Sequence, residues 1–208
     1  MKKIACAALA IGAACSLDAQ SRVSRQGARR MEVTLERLEQ GVWKVIDPGL
    51  ILDNNDHVRF RFKANFSGYL YVTNQSTSDR TTLLFPREDT GSDNRIVANR
   101  EYLVPATRGS FRVDGPEGYD IVSWLVSPVE FGRPESPPPV PPPPGKLRPR
   151  CDDTIFRARG TCVDNSAGAQ AEKKSEGIVV IREKQSSVIA ATTPLKGPIV
   201  YEFHLAHR

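Results

Sequence analysis

Chemistry-bearing residues are scarce in this chain. Three histidines and four cysteines are spread over 208 residues, and no catalytic, metal-ligating or cofactor-binding constellation stands out. His204 and His207 lie three apart, a spacing that sends strand side chains to opposite faces and denies them a shared metal; both are expected at the surface. Beyond Ala14 no apolar run approaches the ~20 residues that a membrane-crossing helix needs. Helical periodicity is missing too, which argues against a helical bundle. No nucleic-acid module is recognisable, so nucleic acid is not an expected partner.

Short motifs that invite an enzymatic reading do not hold. Asp89-Thr90-Gly91 matches the aspartic-protease triplet, but Pro86-Arg87-Glu88 precedes it instead of an apolar strand, and no second copy exists. Asp89, Ser92, Asp93 and Asn94 carry oxygens that could face calcium, yet lack the spacing and terminal Glu of a twelve-residue calcium loop. They read as a polar turn. No Ser or Cys sits in a nucleophile motif, so neither enzyme activity nor a cofactor is expected.

The N-terminus is informative. Lys2 and Lys3 precede an apolar run from Ile4 to Ala14, and small residues continue to Ala19, the pattern of a secretory signal peptide over residues 1–19. A lipoprotein signal cut before Cys15 is the alternative, and membrane attachment is expected only in that case. Removing residues 1–19 lowers the formal charge from +5 to +4. Residues 20–30 follow as a flexible arm in which Arg22, Arg25, Arg29 and Arg30 interrupt small polar residues. Cys6 leaves with the signal, as does Cys15 on cleavage after Ala19, so Cys151 and Cys162 remain as an even pair in an oxidising compartment and are expected to be disulfide-bonded.

What the chain has in quantity is strand chemistry. Met31, Val33 and Leu35 alternate with polar residues, Gln40-Gly41 turns the chain, and Val42 to Ile46 runs back. Val58, Phe60, Phe62 and Ala64 then form an apolar face opposite Arg59, Arg61 and Lys63, a row expected to be solvated. Gly68 to Pro86 reads as a β-hairpin whose first strand is apolar on both faces and hence central. Tyr102 to Val104, Phe111 to Val113 and Tyr119 to Val126 continue the pattern. Short strands at intervals of about ten residues predict an all-β fold, an antiparallel β-sandwich of immunoglobulin-like type.

Composition changes at Arg133. Nine of the sixteen residues from Pro134 to Pro149 are proline, an extended spacer in which Pro137 to Pro144 would span roughly 25 Å. The cysteine loop comes next, then a polar stretch, Ser166 to Glu176, expected to be flexible. From Gly177 strand chemistry returns, ending in the alternating Ile199, Tyr201, Phe203 and Leu205. The last 32 residues cannot bury four large apolar side chains alone. Residues 31–208 are therefore expected to form one β-sandwich domain, with 133–176 a proline-rich, disulfide-containing excursion before the last strands.

Phe60-Arg-Phe62, Gly68-Tyr69-Leu70-Tyr71-Val72, Leu84-Phe85-Pro86, Asn94-Arg95-Ile96-Val97, Tyr102-Leu103-Val104-Pro105 and Pro116-Glu117-Gly118 together carry a family resemblance. Over roughly residues 50–128 the chain resembles the bacterial domain-of-unknown-function family 4384. The resemblance implies an exported or envelope-associated protein. It implies no activity, since none is established for that domain. The ending from Tyr201 to Arg208 is similar to the close of stand-alone members that carry a signal peptide.

The expectation is thus a non-enzymatic exported envelope protein, periplasmic or extracellular, that binds a protein or peptide through a sheet edge or loop tips. The alternative is a glycan- or cell-wall-binding module in which Trp43, Tyr69, Tyr71 and Trp124 supply a surface aromatic platform. Burial of those four rings separates the two readings.

Overall fold

The computed structural model describes residues 29–78, 80–131, 148–170, 178–182, 185–191 and 198–208. The expected signal peptide, the arm up to residue 28 and the proline run lie outside the described residues. Two antiparallel sheets face each other, as the strand pattern predicts.

The strands are β1 (Arg30–Glu39), β2 (Val42–Val45), β3 (His57–Ala64), β4 (Gly68–Gln75), β5 (Thr81–Phe85), β6 (Arg95–Ile96), β7 (Glu101–Val104), β8 (Phe111–Arg112), β9 (Gly118–Ser127), β10 (Gly168–Gln170), β11 (Ile178–Arg182), β12 (Ser187–Ala191) and β13 (Ile199–His207). One helix, α1 (Asp153–Arg159), lies between β9 and β10. The first sheet runs β11-β12-β1-β3-β7, with β2 paired to β1 and β8 to β3; the second runs β10-β13-β9-β4-β5, with β6 paired to β4.

Local chemistry explains the order. The β1–β2 turn places Gln40 at φ 51° and Gly41 at φ 81°, the doubly left-handed geometry that matches the twist of a two-residue hairpin. Gly68 opens β4 where a Cβ would meet the Ser127 carbonyl oxygen at 2.6 Å, so only glycine allows β9 this close. β4 is central, between β9 on one side and β5 and β6 on the other. β13 pairs with β9 from Ile199 opposite Val126 to His207 opposite Gly118, and so sets its alternating face into the core.

The core is aromatic at its centre. The Trp124 ring stacks on Phe62 of the opposite sheet (5.6 Å between centroids, 13° apart) and on Tyr201 of the neighbouring strand (6.1 Å, 6°). Phe60 meets Trp124 edge-on at 5.3 Å and Phe203 at 5.5 Å. These are the offset and edge arrangements that aromatic quadrupoles favour.

Three expectations need correction. The row Arg59, Arg61 and Lys63 is not simply solvated: the Glu36 carboxylate is buried beneath it, accepting from Arg59 Nε at 2.6 Å and from Arg61 Nε at 3.1 Å, and Arg61 reaches Glu101 at 3.0 Å. Part of the polar stretch after Ser166 is a strand, β10, which pairs with β13. α1 was not foreseen, and its physical basis is capping: the Asp152 side chain accepts from Thr154 and Ile155 N–H, and Gly160 closes the other end at φ 66°.

The Tyr201 hydroxyl is fully buried without a hydrogen-bond partner among the described residues, and burial holds its pKa well above the ordinary tyrosine value. Tyr201→Phe should therefore stabilise the protein by about 1 kcal/mol, because it removes an unpaired buried polar atom while keeping the ring; a lower urea midpoint for the variant would reveal a partner for the hydroxyl. Truncation after residue 132 strips Ile199, Tyr201, Phe203 and Leu205 from the core and should yield unfolded or insoluble protein. A soluble, cooperatively unfolding fragment would contradict this dependence.

Candidate functional site

The inner face of the second sheet changes character towards one end. Along β4 it reads Leu70, Val72, Asn74; along β9 Val126, Trp124, Val122, Asp120; along β13 Tyr201, Phe203, Leu205, His207. Large apolar side chains give way to short polar ones, and a groove of about 570 Å³ opens there between the sheets. That volume falls in the range of small-ligand or side-chain pockets. Phe60 and Phe111 form part of its apolar wall, with ring centroids 6.4 Å apart.

Its rim is built by two loops. The turn after β5 is held by Arg87, whose guanidinium grips Asp89 through Nε at 2.6 Å and through a second, shorter contact. That hydrogen-bonded guanidinium keeps the Asp89 carboxyl below the usual carboxylate range. Thr90 Oγ1 donates to the Leu84 carbonyl at 2.6 Å, and Ala106 N–H donates to the Thr90 carbonyl at 2.7 Å, so the turn is tied to both sheets. The opposite rim carries Thr107, Gly109 and Ser110, the last within 2.8 Å of His57 Nδ1.

The floor holds the less ordinary groups. Asp120 Oδ1 accepts Thr77 N–H at 3.1 Å and lies 3.6 Å from His207 Nε2. His207 is wholly buried, contrary to its expected surface position, and neither ring nitrogen has a hydrogen-bond partner among the described residues; Asn74 Oδ1 is likewise unpartnered. His204, on the other face of β13, pairs with Glu202 at 3.2 Å. Neither Asp120 nor Asn74 carried a sequence motif. The only signal was a polar residue breaking an apolar alternation on each of two strands, which by itself is an ordinary strand end.

Residues 52–130 match the family model described as Domain of unknown function (DUF4384). The DUF4384 segment contains β3 to β9, hence both rims and the floor residues Asn74 and Asp120, while β1, β2 and β10 to β13 lie outside it. No curated protein and no solved structure matches the chain.

The aromatic candidates are dispersed. Trp124 is at the centre of the core, and Tyr71 is buried, its hydroxyl bonded to both the N–H (2.8 Å) and the carbonyl (3.0 Å) of Phe131. Tyr69 is half-buried on the second sheet. Trp43 is half-buried on the first sheet, beneath the Arg59 guanidinium 4.3 Å from its ring centre. Tyr69 and Tyr71 share the outer face of β4, but Phe131 covers Tyr71 (ring centroids 5.5 Å apart), so no two of the four rings form one exposed platform.

Cys151 and Cys162 are disulfide-bonded, with Cα atoms 4.9 Å apart. Their loop is fastened to the sandwich: Ile51 N–H donates to the Cys162 carbonyl at 3.0 Å and Asp164 N–H to the Gly49 carbonyl at 2.7 Å. Burial disfavours the Asp164 anion, but donors from Tyr119, Arg150 N–H and Ser166 N–H outweigh that and leave its pKa below the ordinary value. Among the described residues, no helix is long and apolar enough to cross a membrane.

A depressed carboxylate pKa contributes stability that is present above the unfolded value of ~3.9 and lost as pH falls through the lower folded value. Asp164→Asn should therefore flatten the acid side of the stability profile below about pH 4, as followed by urea midpoints at stepped pH. Reducing the disulfide should cost up to roughly 3 kcal/mol in the same assay. An unchanged acid limb in the variant would mean that Asp164 is not a significant proton-linked group.

Proposed function

We propose that this chain is a non-enzymatic exported envelope module that binds an extended peptide or protein segment at the groove between its sheets. The observation that carries the reading is the groove itself: apolar walls, a polar floor with unpartnered atoms, and rims made of turns that a rigid sandwich positions. β5 adds to it. This edge strand, Thr81-Thr82-Leu83-Leu84-Phe85, lacks the charges and prolines that usually blunt a free edge, and its Leu84 lines the groove.

We also read the connectivity as immunoglobulin-like. β3 and β4 are consecutive on opposite sheets, β7 returns to β3, β9 returns to β4, and β13 lies beside β9, which corresponds to the B, C, E, F and G strands of that architecture. Export rests on the N-terminal signal pattern and fits the disulfide, which persists in oxidising compartments. Cleavage after Ala19 would leave Gln20 as the mature N-terminus.

The test is site-specific photo-crosslinking in the native envelope, with a benzophenone amino acid at Gly109 on the groove rim or at Val42 on the exposed β2. The groove position should give a discrete adduct and the β2 position none. Adducts from Val42 alone would move the binding surface to the outer face of the first sheet.

A further inference from the structure

We infer that the groove selects a cationic side chain, a lysine or arginine of an extended peptide, with Asp120 and the Asn74 carbonyl oxygen as the acceptors that hold its head. This rests on the peptide-binding reading above and adds to it the chemistry of the bound group.

The charges of the lining decide the sign of the ligand. Five charged residues line the groove: Arg87, Arg112, Asp89, Asp114 and Asp120. Both arginines are already engaged by carboxylates two residues along the chain, Arg87 by Asp89 and Arg112 by Asp114 at 3.4 Å. An anionic ligand would have to compete with those carboxylates. Asp120 is different. It is buried, it accepts the Thr77 backbone N–H, and its other polar neighbour, His207 Nε2, lies beyond hydrogen-bonding distance at 3.6 Å. A carboxylate that lines the groove and takes a single backbone donor retains acceptor capacity, and a buried acceptor left without a donor is costly.

Asn74 lines the same groove, and its Oδ1 is buried without a hydrogen-bond partner among the described residues, an acceptor that a turn of the side-chain amide would present to a ligand. Two acceptors at the floor call for a ligand with several donors, as an ammonium or guanidinium has. The wall completes the fit. Phe60, Phe111, Leu84 and Val122 present apolar surface between mouth and floor, which suits the methylene stem of a long cationic side chain while its head reaches the polar end. A short polar ligand would leave that wall wet, and an aliphatic side chain would leave both acceptors unpaired.

Selection of a random heptapeptide library against the full chain tests this, followed by fluorescence anisotropy on the enriched sequence, on versions with its basic residue acetylated (for lysine) or replaced by norleucine, and on the Asp120→Asn and Gly109→Trp proteins. Gly109 lies at the mouth, where an added Cβ has only Thr107 Oγ1 at 3.4 Å, so the tryptophan can be accommodated as a plug. The expected result is enrichment of Lys or Arg at one position, at least tenfold weaker binding after neutralising that residue, near-equal binding of the charged and neutral peptides to Asp120→Asn, and loss of both on Gly109→Trp. Neutralising the peptide probes the charge without altering the protein, so the result stands even if Asp120→Asn folds poorly. Enriched peptides without a basic preference that Gly109→Trp still blocks would overturn the cation assignment and leave the groove reading standing. Basic peptides insensitive to Asp120→Asn in folded protein would also overturn it, and no enrichment at all would overturn both.

Discussion

The stacked rings of Phe62, Trp124 and Tyr201 are the constraint on which the rest of this sandwich depends. Trp124 contacts the opposite sheet through Phe62 and Phe60 and its own sheet through Tyr201, so it fixes both the separation of the sheets and the docking of the C-terminal strand. Facing sheets need side chains that fill about 10 Å, and large rings on β3, β9 and β13 do so in the middle of the molecule. One end lacks them. Where the inner row passes from Trp124 to Val122 and Asp120 on β9 and from Val72 to Asn74 on β4, the filling side chains become smaller, and the groove is the space left over. The candidate site is thus a property of the core's composition and not of an added loop.

The outer face of the first sheet solves a different problem. Cationic residues at alternate positions of β3 would repel one another, and β1 answers with carboxylates, Glu32 opposite Lys63 and Glu36 opposite Arg59. Glu36 takes donors from both Arg59 and Arg61. Arg59 also covers the Trp43 ring, which shields an aromatic side chain on the edge strand β2. This face carries much of its charge in internal pairs, whereas in the groove Asp120 is held by the Thr77 backbone N–H with His207 Nε2 at 3.6 Å.

Much of this was legible in the residues and some was not, for physical reasons. The alternation of Val58, Phe60, Phe62 and Ala64, the two-faced apolarity of β4, and the Ile199 to Leu205 row are direct consequences of a strand's period of two, so the sandwich could be read from them. The same logic failed at α1, since no residue of that helix is buried and a helix without a buried face leaves no period to detect. β12 was missed because Ser187, Val188 and Ile189 are all buried, which removes the alternation. His207 was misplaced because the rule that separates it correctly from His204 says which faces they occupy but not which face is covered; its inner face meets the opposite sheet, and its backbone is bridged to Leu52 from over a hundred residues away. Asp120 was invisible for a similar reason, since its burial depends on Thr77 and His207, neither adjacent in sequence.

The boundary of the matched segment bears on how the groove is assembled. Residues 52–130 supply both rims, the aromatic wall and the two floor acceptors. They do not supply Leu205, which closes the floor beside Asp120, nor His207, which stands behind it. Those come from β13, at the far side of the proline run and the cysteine loop. The groove therefore forms only when the last strand has paired with β9, and the fastening of the cysteine loop to residues 49–51 places β10 where it pairs with that strand. On the proposed reading, binding at the groove would be coupled to completion of the fold through β13: a ligand held by Asp120 would stabilise the paired state, and weakening the β9–β13 ladder would lower affinity without touching a residue that contacts the ligand.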